Sequence, residues 1–323
     1  MRCFTFSSVD DGEVIRVHGD YVVASGKHPW IFRRDGTYIA KIKKIRRAYG
    51  MVFLSGDRVL FAANQNMAYY LVSLKNGEIL WSCDYKGPRQ SPGDLVMSPS
   101  EEYIYLLYHG KNWSIVIDRI EPEKQKVTTY IPPDEGDYLG GYCTDEGNLI
   151  FLLCRHGPFY VGDGKPALNE NDWTYRVVSW FPGDPKLEIL QEWTFQNSLT
   201  GRFLGSIAIN DKYILSRDLY VTSINTKECF YLLENNEKLK PNEAQDGIIG
   251  RYDPNTDLLE VWFLKSGSTA IIHCKERKIV SHYARISHGL VDGCFADGEF
   301  WIGTRDGLIK RPFPNMDPFP RNL

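Results

Sequence analysis

The chain has 323 residues, of which 43% are hydrophobic, 24% charged and 13% aromatic, and its formal net charge is -3. A chain of this length can bury a substantial core, and its mild acidity argues against a general nucleic-acid-binding protein, which carries a strong basic excess. No apolar run is long enough to span a bilayer, so we expect no membrane association. The high content of aromatic residues, Gly and Pro is typical of many short strands joined by tight turns, and it predicts an all-β fold.

The seven cysteines are widely spaced and form no Cys-x-x-Cys motif. An odd and scattered set of cysteines is typical of a reducing compartment, because secreted proteins tend to pair theirs. The N-terminal residues have no apolar segment of the kind found in a secretory signal. We therefore expect free thiols, a cytoplasmic protein, and no bound metal or cofactor.

Groups of four short apolar segments, separated by turn residues, recur about every 40 to 45 residues, which is the period of a β-propeller. Each group predicts one blade, a four-stranded antiparallel sheet. The strands are predicted at residues 14–17, 21–25, 30–33 and 38–42; 51–54, 58–62, 68–74 and 78–83; 95–99, 103–108, 114–120 and 125–130; 139–143, 148–154, 174–180 and 187–195; 205–209, 212–216, 219–224 and 228–233; 248–252, 258–264, 269–274 and 278–283; and 291–295, 299–304 and 308–312. We therefore predict a single seven-bladed propeller over residues 1–323, with an insertion at about 155–172 in the fourth blade.

The seventh group supplies three strands, and the segment Cys3–Ser8 belongs to no other group. Because an open array of blades exposes its strand edges, we expect this segment to pair with Leu308–Pro312 and to close the ring. Glycine also recurs in or beside the first strand of several groups, where it indicates either crowding around a central axis or a turn or bulge. These residues are Gly50, Gly141, Gly205, Gly250 and Gly293.

Two of the groups carry recognisable repeat sequences. YYLVSLKNGEILW, residues 69–81, is similar to the strand-turn-strand of a PQQ-type propeller repeat, and DLVMSPSEEYIYLLY, residues 94–108, resembles a YVTN-type repeat. Both families build β-propellers, so the resemblance implies the fold. These families include lactonases, quinoproteins, assembly scaffolds and polysaccharide-binding proteins, so the resemblance implies no particular reaction.

The connections between second and third strands should emerge on the same face as the links between blades. Six of the seven carry Lys or Arg, and three combine a His, a Gly and an aromatic residue. Gathered at a channel mouth, these cations would focus positive potential and bind carboxylate or phosphate, while the aromatic rings stack on a ligand. The alternative is that Lys and Arg are common at strand ends and are neutralised by nearby carboxylates. The candidate ligand-binding residues are Lys27, His28, Trp30, His109, Lys111, Trp113, Arg155, His156, Tyr160, Arg217, Lys265 and Arg305.

The basic run KIKKIRRAY, residues 41–49, is interpreted as a solvated outer strand rather than a nucleic-acid-binding patch. We expect a non-enzymatic propeller that binds another protein or a small anionic or carbohydrate ligand, and no nucleic acid. The alternative is a hydrolase, lactonase or lyase acting on a sugar or small organic acid at the same mouth. Such an enzyme would need a carboxylate or His against its substrate, whereas these connections are richer in Lys, Arg and aromatic residues.

Overall fold

A computed structural model describes residues 4–6, 14–85, 94–109, 115–133, 137–155, 173–195, 208–209, 213–215, 220–223, 229–231, 248–253, 257–263, 268–283, 290–296, 299–304 and 307–312. Within these ranges the secondary structure consists of β-strands and one short 3-10 turn, Pro122–Lys124. None of the described residues forms a helix with the length and apolarity that a membrane crossing requires. The chain divides into two compact units, one made of Met1–Tyr85 and Asn235–Leu323 and the other of Lys86–Glu234.

The first unit contains four four-stranded antiparallel sheets among its described residues. Its strands are β1 (Phe4–Phe6), β2 (Val14–His18), β3 (Tyr21–Ser25), β4 (Pro29–Arg33), β5 (Tyr38–Lys41), β6 (Ala48–Leu54), β7 (Arg58–Ala63), β8 (Ala68–Ser73), β9 (Ile79–Asp84), β22 (Ile248–Asp253), β23 (Leu258–Phe263), β24 (Ser268–His273), β25 (Lys278–Tyr283), β26 (Leu290–Ala296), β27 (Glu299–Thr304) and β28 (Gly307–Pro312). Three sheets are meanders of strands consecutive in sequence, β2 to β5, β6 to β9 and β22 to β25. The fourth has the order β1-β28-β27-β26.

The second unit contains three such meanders among its described residues, β10 to β13, β14 to β17 and β18 to β21. Its strands are β10 (Asp94–Met97), β11 (Ile104–His109), β12 (Ile115–Glu121), β13 (Lys126–Tyr130), β14 (Asp137–Cys143), β15 (Leu149–Arg155), β16 (Trp173–Trp180), β17 (Glu188–Phe195), β18 (Ala208–Ile209), β19 (Tyr213–Leu215), β20 (Tyr220–Ser223) and β21 (Cys229–Tyr231). Arg155, which the sequence places at the start of an insertion, is the last residue of β15. The rest of that insertion, residues 156–172, lies outside the described residues.

The expectation of four-stranded antiparallel sheets is confirmed, and each predicted strand overlaps an observed one. Turn residues explain much of this agreement. Gly36 and Gly77 lie in the connections that follow β4 and β8, and both have positive φ, 94° and 75°, which glycine adopts without a steric cost. Asn76 supports the second of these turns, because its Oδ1 accepts a hydrogen bond from Glu78 N at 3.0 Å.

The predicted pairing of the N-terminal segment with the last strand is also confirmed. β1 runs antiparallel to β28, with Phe4 opposite Lys310 and Phe6 opposite Leu308. The sheet that contains the end of the described chain is therefore completed by its beginning, and β28 does not present a free edge on that side.

Apolar side chains fill the space between sheets that are neighbours in the same unit. In the first unit, one face of the first sheet packs on the second sheet through a cluster that includes Val23, Ile31 and Phe61. The other face of the first sheet packs on Trp301 of β27. In the second unit the sheets β10 to β13 and β14 to β17 share a cluster that includes Phe151. Burial on both faces explains why the middle strands are almost continuously apolar.

Candidate functional site

Three connections lie at the same strand ends of the first two sheets. They are residues 26–28, which join β3 to β4; residues 42–47, which link the first sheet to the second; and residues 64–67, which join β7 to β8. We call these residues the basic edge. Sequence reasoning expects the connection between second and third strands to share a face with the link between blades, and the first two sheets bear this out.

Hydrogen bonds tie the three connections together. The Arg47 backbone N–H donates to Lys27 O at 3.3 Å, and Asn64 N–H donates to Arg47 O at 3.0 Å. The Arg46 N–H donates to Asn66 Oδ1 at 2.7 Å. Because these bonds use backbone atoms of Arg46 and Arg47, they hold the linking segment in place and leave both guanidinium groups available for other contacts.

His28 fixes the middle of the link. Its Nδ1 lies 2.9 Å from the backbone oxygen of Ile45. A carbonyl oxygen can only accept a hydrogen bond, so Nδ1 is the donor, and Nε2 is the ring nitrogen left for another partner. Ile42 and Ile45 are buried between the two sheets. The link is therefore held by the apolar contacts of these two side chains and by the hydrogen bond from His28.

The side chains of the basic edge are dominated by cations. Five of them are exposed: Lys27, Lys43, Lys44, Arg46 and Arg47. Among the described residues, none of the five makes an ion pair, and the three connections contain no Asp or Glu. Like charges gathered in this way repel each other, so the local electrostatic potential at this edge is positive.

The turns at the opposite ends of the same strands, which we call the opposite edge, have a different electrostatic character. There Arg33 pairs with Asp20 at 3.2 Å, and Lys75 pairs with Asp57 at 3.4 Å. These pairs match the alternative in which strand-end cations are neutralised locally. The three connections of the basic edge contain no such carboxylate, although the exposed Asp84 ends β9 opposite Ala68, beside the connection 64–67.

The interpretation of residues 41–49 as an outer strand is corrected by the structure. Only Lys41 belongs to β5, and residues 42–47 form the link to β6. The reason is that the buried Ile42 and Ile45 are three residues apart, whereas the side chains of a strand alternate with a period of two. The prediction that the run is solvated holds for its four exposed cations, which sequence reasoning did not include among the ligand-binding residues.

Trp30 is placed inside the packing of the first sheet. Its exposed fraction is 9%, and its ring stacks with Phe32 at a centroid distance of 6.1 Å. The Lys41 ammonium lies 4.1 Å from the centroid of the Trp30 ring, because Lys41 is its cross-strand neighbour. The face of the Trp30 ring on that side is therefore already occupied by a cation.

The remaining candidates are less fully described. His109 and Arg155 end β11 and β15, the second strands of their sheets, and the structure describes only their backbones. The other predicted residues lie outside the described part of the chain: Lys111, Trp113, His156, Tyr160, Arg217, Lys265 and Arg305. Within the described ranges, no group of three or more His, Cys, Asp or Glu side chains is arranged to hold a metal ion.

Solved structures identify the class of fold. The chain is similar to a catalytically inactive variant of virginiamycin B lyase from Staphylococcus aureus with quinupristin, with a TM-score of 0.63, 14% identity, and 96% of this chain and 97% of that chain covered. It is similar to a streptogramin B lyase with a TM-score of 0.62, 14% identity and 96% of both chains covered. The computationally designed Ika8 protein gives a TM-score of 0.59, 11% identity, and coverage of 95% of this chain and 97% of that chain.

These similarities establish that the chain has a β-propeller fold built from four-stranded antiparallel sheets. At such low identity they show the fold alone. No protein-family profile matches the chain, and no curated protein sequence matches it.

Proposed function

We propose that the protein is a non-enzymatic binding propeller that takes an anionic ligand or an acidic partner surface at its basic edge. The observation that supports this most strongly is the concentration of five exposed cations on three hydrogen-bonded connections that hold no carboxylate. The formal net charge of the whole chain is -3, so the positive potential is local and would direct an anion to this edge in particular.

The number of blades and the closure of the ring, which the sequence predicts, are part of this proposal. We propose that the seven sheets found among the described residues are the blades of one propeller over residues 1–323, closed by the pairing of β1 with β28. The second-to-third-strand connections of all the blades would then carry the remaining cationic candidates, of which Arg155, Arg217 and Arg305 are examples.

An enzyme acting on a sugar or small organic acid is the second candidate, and the similarity to two lyases is what favours it. General acid-base catalysis needs a carboxylate or imidazole placed against the substrate. Within the three connections the group of this kind is His28, whose Nδ1 is engaged by Ile45 O, and the carboxylate beside them is the exposed Asp84 at the end of β9. Binding by charge-assisted hydrogen bonds requires only the cations already present, so we place the binding function first.

The direct test is thermal unfolding at low ionic strength with tripolyphosphate, citrate and polyglutamate. A ligand that binds the folded state and not the unfolded chain raises the melting temperature, and the shift grows with the logarithm of ligand concentration above the Kd. We expect at least one of these anions to raise it, and we expect added salt to abolish the effect, since exposed charges are screened over about 10 Å at 0.1 M salt.

The matched variant replaces Lys43, Lys44, Arg46 and Arg47 together by Gln. These side chains are exposed, and the backbone hydrogen bonds of the link do not depend on them, so the variant should fold. The control replaces Lys75 by Gln at the opposite edge. The proposal is refuted if no anion shifts the melting temperature, or if the shift is the same in the fourfold variant as in the wild type.

A further inference from the structure

We propose that the partner at the basic edge is an extended acidic segment of another protein, which lies along the link between the first two sheets with carboxylates at alternate positions. This inference rests on the proposed function and specifies the ligand of the same site. Its starting point is the path of residues 42–47, which carry four of the five cations.

The path of the link sets the spacing of its charges. It starts from the fourth strand of one sheet and ends at the first strand of the next, so it must cross three strand spacings, or about 14 Å. Lys43 and Lys44 form a turn near its start, and Arg46 and Arg47 lie near its end. The cations are therefore distributed along a line and not around a point. Lys27 lies beside the end of that line, since its backbone oxygen accepts a hydrogen bond from the Arg47 N–H.

An extended peptide matches this line. Alternate side chains of an extended chain point to the same side and are about 6.6 Å apart, so three carboxylates span about 13 Å. A compact anion such as citrate has its carboxylates only a few bonds apart, and it can contact the cations at one end of the link only. Each additional exposed ion pair that the longer ligand forms should increase its affinity about two- to fivefold.

The neighbouring side chains favour a peptide over single-stranded nucleic acid. Proteins that bind single strands combine a basic groove with aromatic rings on which the bases stack. The three connections of the basic edge contain no Phe, Tyr or Trp, and the nearby Trp30 is buried beneath Lys41. Tyr85, whose backbone N–H donates to Met67 O at 2.8 Å, makes an edge contact with the ring of Tyr69 at a centroid distance of 4.5 Å. The apolar group that the edge does offer is Met67, which is 37% exposed, next to Asn66. A flexible thioether suits contact with an aliphatic side chain of a peptide.

The experiment compares ligands of equal charge but different length on the full chain. A fluorescein-labelled peptide with three glutamates at alternate positions, separated by serines and followed by a leucine, is titrated by fluorescence anisotropy at low ionic strength. Unlabelled citrate and a short oligothymidylate compete for it, and free fluorescein controls for the label. We expect the peptide to bind about two- to fivefold more tightly than citrate, because its three carboxylates reach cations at both ends of the link and so gain one further ion pair.

Variants then locate the peptide on the link. Arg46→Gln and Lys43→Gln remove cations from opposite ends, and each should weaken peptide binding about two- to fivefold, whereas Lys75→Gln should leave it unchanged. Lys43→Gln and Arg46→Gln together should reduce the affinity by the product of their separate effects, because an extended ligand contacts both ends at once.

Several results would overturn the inference. If citrate matches the peptide, or if only one end of the link matters, the ligand is compact and the extended segment is wrong, while the proposed anion binding stands. If the oligothymidylate binds more tightly than the peptide, the partner is a nucleic acid. If neither the peptide nor any polyanion binds, both this inference and the proposed function fail.

Discussion

The turn that joins β8 to β9 offers a quantitative test of how the first two sheets fit together. Gly77 in this turn has φ of 75°, and a Cβ built on it would lie 2.4 Å from the Cβ of Ala40 in β5. Gly19, in the turn between β2 and β3, has a similar φ of 51°, but a Cβ there would meet nothing within 4 Å. The pair therefore separates backbone strain from steric overlap between sheets.

The expected losses in the free energy of unfolding follow from backbone strain and from steric overlap. Alanine at a left-handed position costs about 1 to 2 kcal/mol, and the loss of chain entropy in the unfolded state offsets about 0.4 to 1 kcal/mol of it. We therefore expect Gly19→Ala to lower the free energy of unfolding by about 1 kcal/mol. Gly77→Ala should lose about 1 to 3 kcal/mol more, because overpacking a rigid backbone contact adds a cost of that size.

Urea unfolding followed by tryptophan fluorescence measures both values, and a second substitution identifies the cause. Ala40→Gly removes the atom that the new methyl group would strike. In that background Gly77→Ala should cost no more than Gly19→Ala costs in the wild type. Equal effects of the two glycine substitutions, or no rescue by Ala40→Gly, would refute the claim that the turn is packed against β5.

Three further predictions concern closure, thiols and alkaline pH. Deleting residues 1–9 removes β1 and uncovers the edge of β28, so the melting temperature should fall sharply; an unchanged value would contradict closure by the N-terminal strand. Thiol titration after denaturation without reductant should find all seven cysteines, and a disulfide detected by mass would contradict this; Cys83, Cys143 and Cys274 are free in the described part of the chain. Burial raises the pKa of the Cys143 and Cys274 thiols from 9.0 to about 12, so the folded protein keeps protons that the unfolded chain releases, and stability should fall as the pH rises from about 9 to about 12. Cys143→Ala should make that fall shallower, and an identical pH profile in the variant would contradict the assignment.

Strand positions could be predicted from the sequence because their signals are local. Turn residues such as Gly36 and Gly77 mark where strands end, and apolar runs between them have strand length.

The role of Gly141 was harder to predict, since the sequence suggested either crowding at a central axis or a local bulge. A Cβ on Gly141 would lie 2.6 Å from Ile150 O and 2.8 Å from Phe151 Cβ, on the neighbouring strand of its own sheet. The register between these strands shifts at Tyr138 and Gly140, so the bulge accounts for this glycine.

The position of part of the candidate site could be predicted from the sequence, and the state of its side chains could not. Lys27 and His28 lie in the connection between the second and third strands of the first sheet. In an antiparallel sheet such a connection emerges on the same side as the link to the next sheet, so its position can be predicted from the order of the strands. The roles of Trp30 and Lys41 depend instead on cross-strand register, which places the two residues opposite each other and covers the ring with an ammonium group. Register comes from contacts that are distant in sequence, so the availability of an aromatic side chain to a ligand cannot be read from its position after a turn.

The sheet that pairs β1 with β28 also affects how the protein is made. β1 leaves the ribosome roughly 300 residues before its partner β28 is synthesised. At about 5 to 20 residues per second, that delay is about 15 to 60 seconds. Throughout this interval the other sheets can form from strands close in sequence, while the first strand has no partner from its own chain. During that delay β1 can therefore pair with the β28 strand of another copy made on the same messenger RNA.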